Sequence, residues 1–414
     1  MIRFWRSESG NVAVIFTLAA IPAIGLIGAS VDYGRRSHAL SQMQIAVDSA
    51  ALALSKLPNT TPKAEIEAKA EQYFNANFKE PSVSGVQLTV APGKGILSLS
   101  ATATMTPQVT ILSSVSSMYL SASATVKWGT SKLEVALALD NTGSMSSSSK
   151  LIKLKQATTN LLTTLKAAAK NDGDVKVAII PFATVVNIGT GYKNEPWMRW
   201  DSTETKAKNV TKSNWTGCVL DRDKSGDYDV TDASPSSSVK ASLFVPSVSS
   251  PCGSLASMIP LSYDWTALQD KVDDMNATGN TNVTIGLEWA WHALSTKAPL
   301  MEGGTSTTEV PIEKVIVLLT DGDNTENRFC KNSPSWPSTS CSTSTIDTRT
   351  KLACTNVKND DITIYTVRVI DGNKTLLKDC ASHPSKYFEV TNSAELITVF
   401  DTIAGNLVNL YLSK

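Results

Sequence analysis

The chain has 414 residues, with 38 Lys or Arg balanced by 38 Asp or Glu, so its formal net charge is zero. That length accommodates two or three domains. The absence of any basic excess or nucleic-acid motif sets DNA and RNA aside as partners. All six cysteines (Cys218, Cys252, Cys330, Cys341, Cys354, Cys380) lie in the C-terminal half without a C-x-x-C pair, and there are only three histidines. This argues against structural zinc and for disulfides in an oxidising compartment.

The N-terminus carries no charged residue from Asn11 to Val31. That is roughly the length a helix needs to cross a bilayer, and Pro22 and the glycines are tolerable in such a helix. Arg3 and Arg6 precede the run and Arg35 and Arg36 follow it, so basic residues alone do not orient the span. The cysteines do, placing the bulk outside the cytoplasm. A cleavable signal peptide competes, given the small Gly28 and Ser30. The run is long for such a segment and helical sequence continues past it, so an uncleaved anchor is expected. A buried core helix is the third reading.

Residues 31–57 continue as an amphipathic stalk helix, stopped by "NTTP" at 59–62. Residues 63–78 form a second short helix. Between 86 and 128 the pattern turns to alternation rich in β-branched residues, "VQLTVA", "ILSLSATATM" and "LSASATVKW", with "APGKG" at 91–95 as a hairpin turn. The expected organisation is therefore an anchor and stalk over 1–57, a small α+β module over 58–130, and a third domain over 131–414.

In that third domain near-continuous apolar strands alternate with amphipathic helices. "LEVALAL" leads to a helix at 150–168, and "DVKVAIIPF" is the next strand. Helices "DWTALQDKVDDM" and "VTIGLEWAWHALS" precede the strand "KVIVLLTD". "TRTKLACTNVKND", "DITIYTVRVI", "KTLLKDCAS", "KYFEV" and a closing helix complete the series. Such alternation predicts an α/β domain with a doubly wound, mostly parallel sheet. Two polar insertions interrupt it, at about 183–262 and 322–346. Six cysteines allow about fifteen pairings. Keeping each bridge within one insertion, or between a helix and the turn after the next strand, gives Cys218–Cys252, Cys330–Cys341 and Cys354–Cys380.

Ligands of open α/β sheets bind beyond the carboxyl ends of the strands. Three segments belong there. "LALDNTGSMS" puts Asp140, Thr142 and Ser144 after the first strand, "TGNTNVTIG" puts Thr281 before a helix, and "LLTDGDN" puts Asp321 at a strand tip. Two carboxylates and three hydroxyls are hard oxygen donors suited to Mg²⁺, Mn²⁺ or Ca²⁺. They leave an open position on a divalent ion, so a carboxylate from outside is the natural last ligand.

These motifs resemble the metal-ion-dependent adhesion site of von Willebrand factor type A domains, in that family's chain order. The resemblance implies that Asp140, Thr142, Ser144, Thr281 and Asp321 hold a divalent cation, Mg²⁺ first. Thr142 departs from the commoner Ser but keeps the hydroxyl. At the N-terminus, "ESGNVAVIFTLAAIPAIGLIGASVDYGRR" and "QMQIAVDSAALALSK" are similar to the membrane segment of TadG-type proteins of Tad/Flp pilus assembly. Together the two resemblances imply a bacterial inner-membrane protein, single-pass, with its bulk in the periplasm or at the cell surface. They also imply a protein partner that supplies an Asp or Glu carboxylate, in pilus assembly or tight adherence. Gly10 and Asn11 are similar to a prepilin cleavage site, though Ile15 stands where such substrates carry Glu.

Catalysis is not expected. No G-x-S-x-G elbow surrounds Ser144, no phosphate-binding G-x-x-x-x-G-K motif occurs, and His38, His292 and His383 fall outside the three segments. A metal-dependent phosphatase would need an acid where Thr142 stands. A structural scaffold with a vestigial metal site is the main alternative to a binding module. "DRDKSGDYDVTD" at 221–232 has acids and Ser225 in the register of an EF-hand loop, but ends in Asp232 rather than Glu and lacks flanking helices. A solvated acidic loop is the expectation there. Trp289, Trp291 and His292 are expected to pack on the sheet, whereas Trp197, Trp200 and Trp215 are either contact residues or a local core.

Overall fold

The computed structural model describes residues 9–57, 61–92, 96–108, 116–127, 132–204, 206–248, 251–307, 310–330 and 342–412. The chain forms two compact units, Met1–Thr130 and Ser131–Lys414.

The first unit begins with helix α1 (Ser9–Ser55), whose 47 residues make it about 70 Å long at the standard rise. Its two halves differ. Val14, Ile15, Phe16, Leu18, Ile21, Ile24 and Ile27 are all more than half exposed. Among the described residues α1 is the one helix long and apolar enough to cross a membrane. Further on, Ala39, Met43, Ala46, Val47, Ala50, Ala51 and Leu54 recur at helical spacing and are buried. They pack with Ile66, Ala70 and Phe74 of α2 (Lys63–Asn77). Alternate residues Leu97, Leu99, Ala101 and Ala103 of the sheet complete this core. That sheet is antiparallel, in the order β1 (Val83–Pro92), β2 (Ile96–Met105), β3 (Met118–Lys127). The stretch expected as a stalk is thus, in its second half, the core helix of this unit. The expected turn at 91–95 lies largely outside the described residues.

The second unit is mixed α/β. Five strands run parallel in the order β12, β11, β10, β4, β5: β4 is Lys132–Asp140, β5 Val175–Phe182, β10 Ile312–Thr320, β11 Thr363–Val369 and β12 Tyr387–Val390. Successive residues of β4 point to opposite faces. Leu133, Val135, Leu137 and Leu139 share a core with α3 (Lys150–Ala168), α4 (Trp265–Asp273) and α8 (Glu395–Leu412). Ala136 and Ala138 face the other core, with α5 (Val283–Leu294), α6 (Thr343–Asn359) and α7 (Lys374–Cys380). The small β4 residues on that face admit α5 closely. A Cβ on Gly286 would lie 2.4 Å from the Phe182 ring, so only glycine fits there.

The first insertion is ordered by short strands. β6 (Val186–Asn187), β7 (Cys218–Val219) and β8 (Pro246–Ser247) extend the sheet antiparallel beyond β5, and β9 (Ile259–Ser262) also pairs with β5. The Cys218–Cys252 and Cys354–Cys380 disulfides are formed as expected. The Cys330–Cys341 pairing involves Cys341, outside the described residues. Trp197 and Trp215 are buried, Trp197 edge-on to Phe244 and Trp215 edge-on to Trp200, a local core rather than a contact surface. Trp289, Trp291 and His292 are buried, as packing on the sheet requires.

Candidate metal centre

The site is assembled where β4 and β10 end. Asp140 is the last residue of β4, with no exposed surface. Its Oδ1 accepts the Thr142 amide at 2.7 Å, and its Oδ2 accepts the Thr320 hydroxyl at 2.6 Å and the Asp321 amide at 3.4 Å. Thr142 and Ser144 share a hydroxyl hydrogen bond of 2.9 Å. Ser144 in turn donates to Asp321 Oδ1 at 2.5 Å. Four of the five residues singled out from the sequence are therefore joined in one hydrogen-bonded chain.

Thr281 joins from the side. A Cβ built on Gly322 would stand 3.5 Å from the Thr281 hydroxyl oxygen and 3.8 Å from that of Ser144. Backbone bonds hold the Thr281 loop in place. The Thr325 and Glu326 amides donate to the Thr281 carbonyl at 2.9 and 3.2 Å, and the Thr281 amide donates to the Thr325 hydroxyl at 2.9 Å. Gly143 donates to the carbonyl of Gly279, whose φ of +79° suits glycine. Asn282 caps α5 through the Ile285 amide, and Asn324 accepts the Val283 amide. Asp140, Thr142, Thr281 and Asp321 are buried, whereas Ser144 is exposed, so the cluster opens to solvent at Ser144.

Burial, and next the repulsion of Asp321, push the Asp140 carboxyl up to about 6, against the pull of its hydrogen bonds to Thr142 and Thr320. Asp321 has a counter-ion that the sequence reading missed. Lys150, the first residue of α3, donates from Nζ to Asp321 Oδ2 at 2.7 Å, and both groups are buried. A lysine in the first helical turn opposes the helix dipole, and that oddity was the available signal. Thr320 was also missed, although it stands next to Asp321 in "LLTDG". Among the described residues no three His, Cys, Asp or Glu side chains gather as a metal site. The donors here are of another kind, two carboxylates with three hydroxyls, and as hard oxygens they fit a divalent cation.

The acidic run at 221–232 is only partly solvated: residues 224–227 are exposed, whereas Asp221, Asp229 and Asp232 are buried. Asp221 is buried and accepts from the Asn282 amide group at 2.9 Å and the Arg328 backbone N–H at 3.0 Å. Asp223 accepts the Ser225 amide at 2.9 Å. Arg349 binds Asp227 at 2.9 Å and grips Asp229 with two nitrogens. Asp232 accepts from Ser295 at 2.7 Å, and sits 3.1 Å from His292 and 3.2 Å from Lys297. Each acid thus has a partner, Arg349 serving two of them. Behind them Glu288 is buried, and burial raises its carboxyl well above the usual range, while burial lowers His292.

Residues 10–54 match the family model described as "Putative Flp pilus-assembly TadE/G-like". No curated protein matches the chain. Among solved structures, the vWF domain of the type V pili tip protein Mfa5 from Porphyromonas gingivalis is 13% identical, with a TM-score of 0.41 over 67% of this chain and 95% of that one. The pilus adhesin SpaC from Lactobacillus rhamnosus GG is 12% identical, with a TM-score of 0.38 over 81% of this chain and 36% of SpaC. Proximal thread matrix protein 1 from the mussel byssus, in a form with a zinc-occupied MIDAS motif, is 12% identical, with a TM-score of 0.36 over 68% of this chain and 47% of that one. This chain spans less than half the length of the latter two proteins.

Proposed function

We propose that the second unit is a doubly wound von Willebrand type A domain. In this reading Asp140, Thr142, Ser144, Thr281 and Asp321 hold a divalent cation, Mg²⁺ first and Mn²⁺ or Ca²⁺ as alternatives. The protein binds a protein partner through that ion. When bound, the cation supplies positive charge that a partner's Asp or Glu carboxylate completes. The protein acts in Flp-type pilus assembly or tight adherence, anchored by residues 11–31 in a bacterial inner membrane with its bulk in the periplasm. The N-terminal family match and the exposed apolar half of α1 support the anchored, pilus-linked part of this reading.

One observation carries the metal reading. Residues some 180 positions apart meet as hydroxyl and carboxylate, Ser144 to Asp321 at 2.5 Å, with Asp140 and Thr281 beside them. The role is binding rather than catalysis. The Ser144 hydroxyl bonds to Thr142 and Asp321, and His292 is occupied with Asp232. A pull-down with the full chain in detergent tests the function. Pilus and envelope components captured in Mg²⁺ should be released by chelator and absent with Asp140→Ala. Identical capture in all three conditions contradicts the reading.

The second reading, a scaffold with a vestigial site, is favoured by the Lys150 ammonium on Asp321, which balances one of the two carboxylates without any metal. Absence of metal binding by the intact chain would select it.

A further inference from the structure

Lys150 is placed at some local expense. It opens α3, where the aligned peptide dipoles disfavour a cation. The helix has no side-chain cap, and the two residues before it, Ser148 (φ 52°) and Ser149 (φ 56°), are both left-handed. Non-glycine residues rarely adopt that conformation, because Cβ then crowds the following carbonyl oxygen. The turn is tied down by the Ser393 hydroxyl, which donates to the Ser148 carbonyl at 2.8 Å. The result of this arrangement is one contact, a buried ammonium 2.7 Å from a buried carboxylate oxygen.

The consequence concerns charge. Asp140 receives only neutral donors, whereas Asp321 receives the Ser144 hydroxyl on one oxygen and the ammonium on the other. Two carboxylates and one ammonium leave the pocket a single net negative charge. A divalent cation entering there meets a positive charge fixed one carboxylate away.

We propose that Lys150 is a tethered cation that sets the strength of the metal site, holding Asp321 in place without metal and opposing a divalent ion electrostatically. This rests on the metal reading above and deepens it. A site weakened in this way keeps the ion under-ligated, so a partner's carboxylate adds a large share of the binding.

The test is a Mn²⁺ titration by calorimetry on the full chain in detergent, with melting temperatures recorded with and without metal. Lys150→Met should bind Mn²⁺ about tenfold or more tightly than wild type, the order expected for removing a unit charge several ångströms away at an effective dielectric near 20. It should melt lower than wild type without metal and recover more on adding it. Lys150→Gln, which can still donate to Asp321 but carries no charge, should also tighten binding, and it decides the matter if the methionine variant does not fold. Equal affinity in wild type and the folded variants overturns it while leaving the metal site standing. No Mn²⁺ binding in any of them overturns both.

Discussion

The loop after β4 and the run at 221–232 are both dense in oxygen donors, yet their carboxylates are used in opposite ways. At Asp140 the partners are neutral N–H and O–H groups, a second carboxylate lies next to it, and the exposed Ser144 leaves one side open. In the acidic run, Asp227 and Asp229 share Arg349, Asp232 lies between His292 and Lys297, and Asp221 takes two amide donors. Asp227, Asp229 and Asp232 face basic side chains and so have less to offer a metal. Their work is to clamp the first insertion to α5, α6 and the loop after β10. Donor spacing along the chain therefore does not distinguish a ligand set from a clamp; the strand-tip pair has one buried ammonium and adjoins an exposed hydroxyl, whereas most acids of the run are tied to groups elsewhere in the fold.

Loosening the clamp should cost the most stability. Replacing Cys218 and Cys252 by Ser opens a loop spanning 34 residues in the clamped insertion. The expected loss is about 3–4 kcal/mol in urea denaturation, with Mn²⁺ affinity little changed. Arg349→Ala strands one buried and one exposed carboxylate. It should cost about 2–3 kcal/mol, less than a fully buried pair because the guanidinium is partly exposed. If Arg349→Ala instead created a second Mn²⁺ site, the acids would be ligands restrained only by their arginine.

The carboxylate pair gives a smaller, pH-dependent effect. With Asp140 pushed up to about 6, protons compete with metal below that pH. Mn²⁺ affinity should be about tenfold weaker at pH 5 than at pH 8. The metal-free protein should show the opposite trend. The folded-state value lies above the unfolded one, so this group's stabilising contribution is complete below about pH 4 and is lost as pH rises through about 6. Metal added at pH 8 should therefore raise the melting temperature more than metal added at pH 5. The smallest effect expected is from Thr142→Ser, which keeps the hydroxyl that meets Ser144. Its Mn²⁺ affinity should stay within about threefold of wild type, a difference under ~1 kcal/mol.

Much of this was legible in the sequence, for identifiable reasons. The apolar runs of β4 and β10 end at Asp140 and just before Asp321, so strand tips could be read where charge interrupts burial. Disulfides inside short segments followed from their spacing. What was not legible depended on partners distant in the chain. The acids at 221–232 read as solvated because Arg328 and Arg349 lie 107 and 120 residues from the aspartates they hold. Lys150 sits 171 residues from Asp321, and its motif neighbours drew attention to hydroxyls instead. The second half of α1 showed its helical stripe clearly, but not the sheet that covers it.

In the proposed reading the carboxylates at the strand tips, and not those of the acidic run, hold a cation. Counting bound Mn²⁺ on the full chain by equilibrium dialysis tests it most directly. One ion per chain is expected, lost with Asp140→Ala and kept with Asp227→Ala, both variants remaining folded by circular dichroism. No ion on wild type, or an ion that survives Asp140→Ala and disappears with Asp227→Ala, contradicts it.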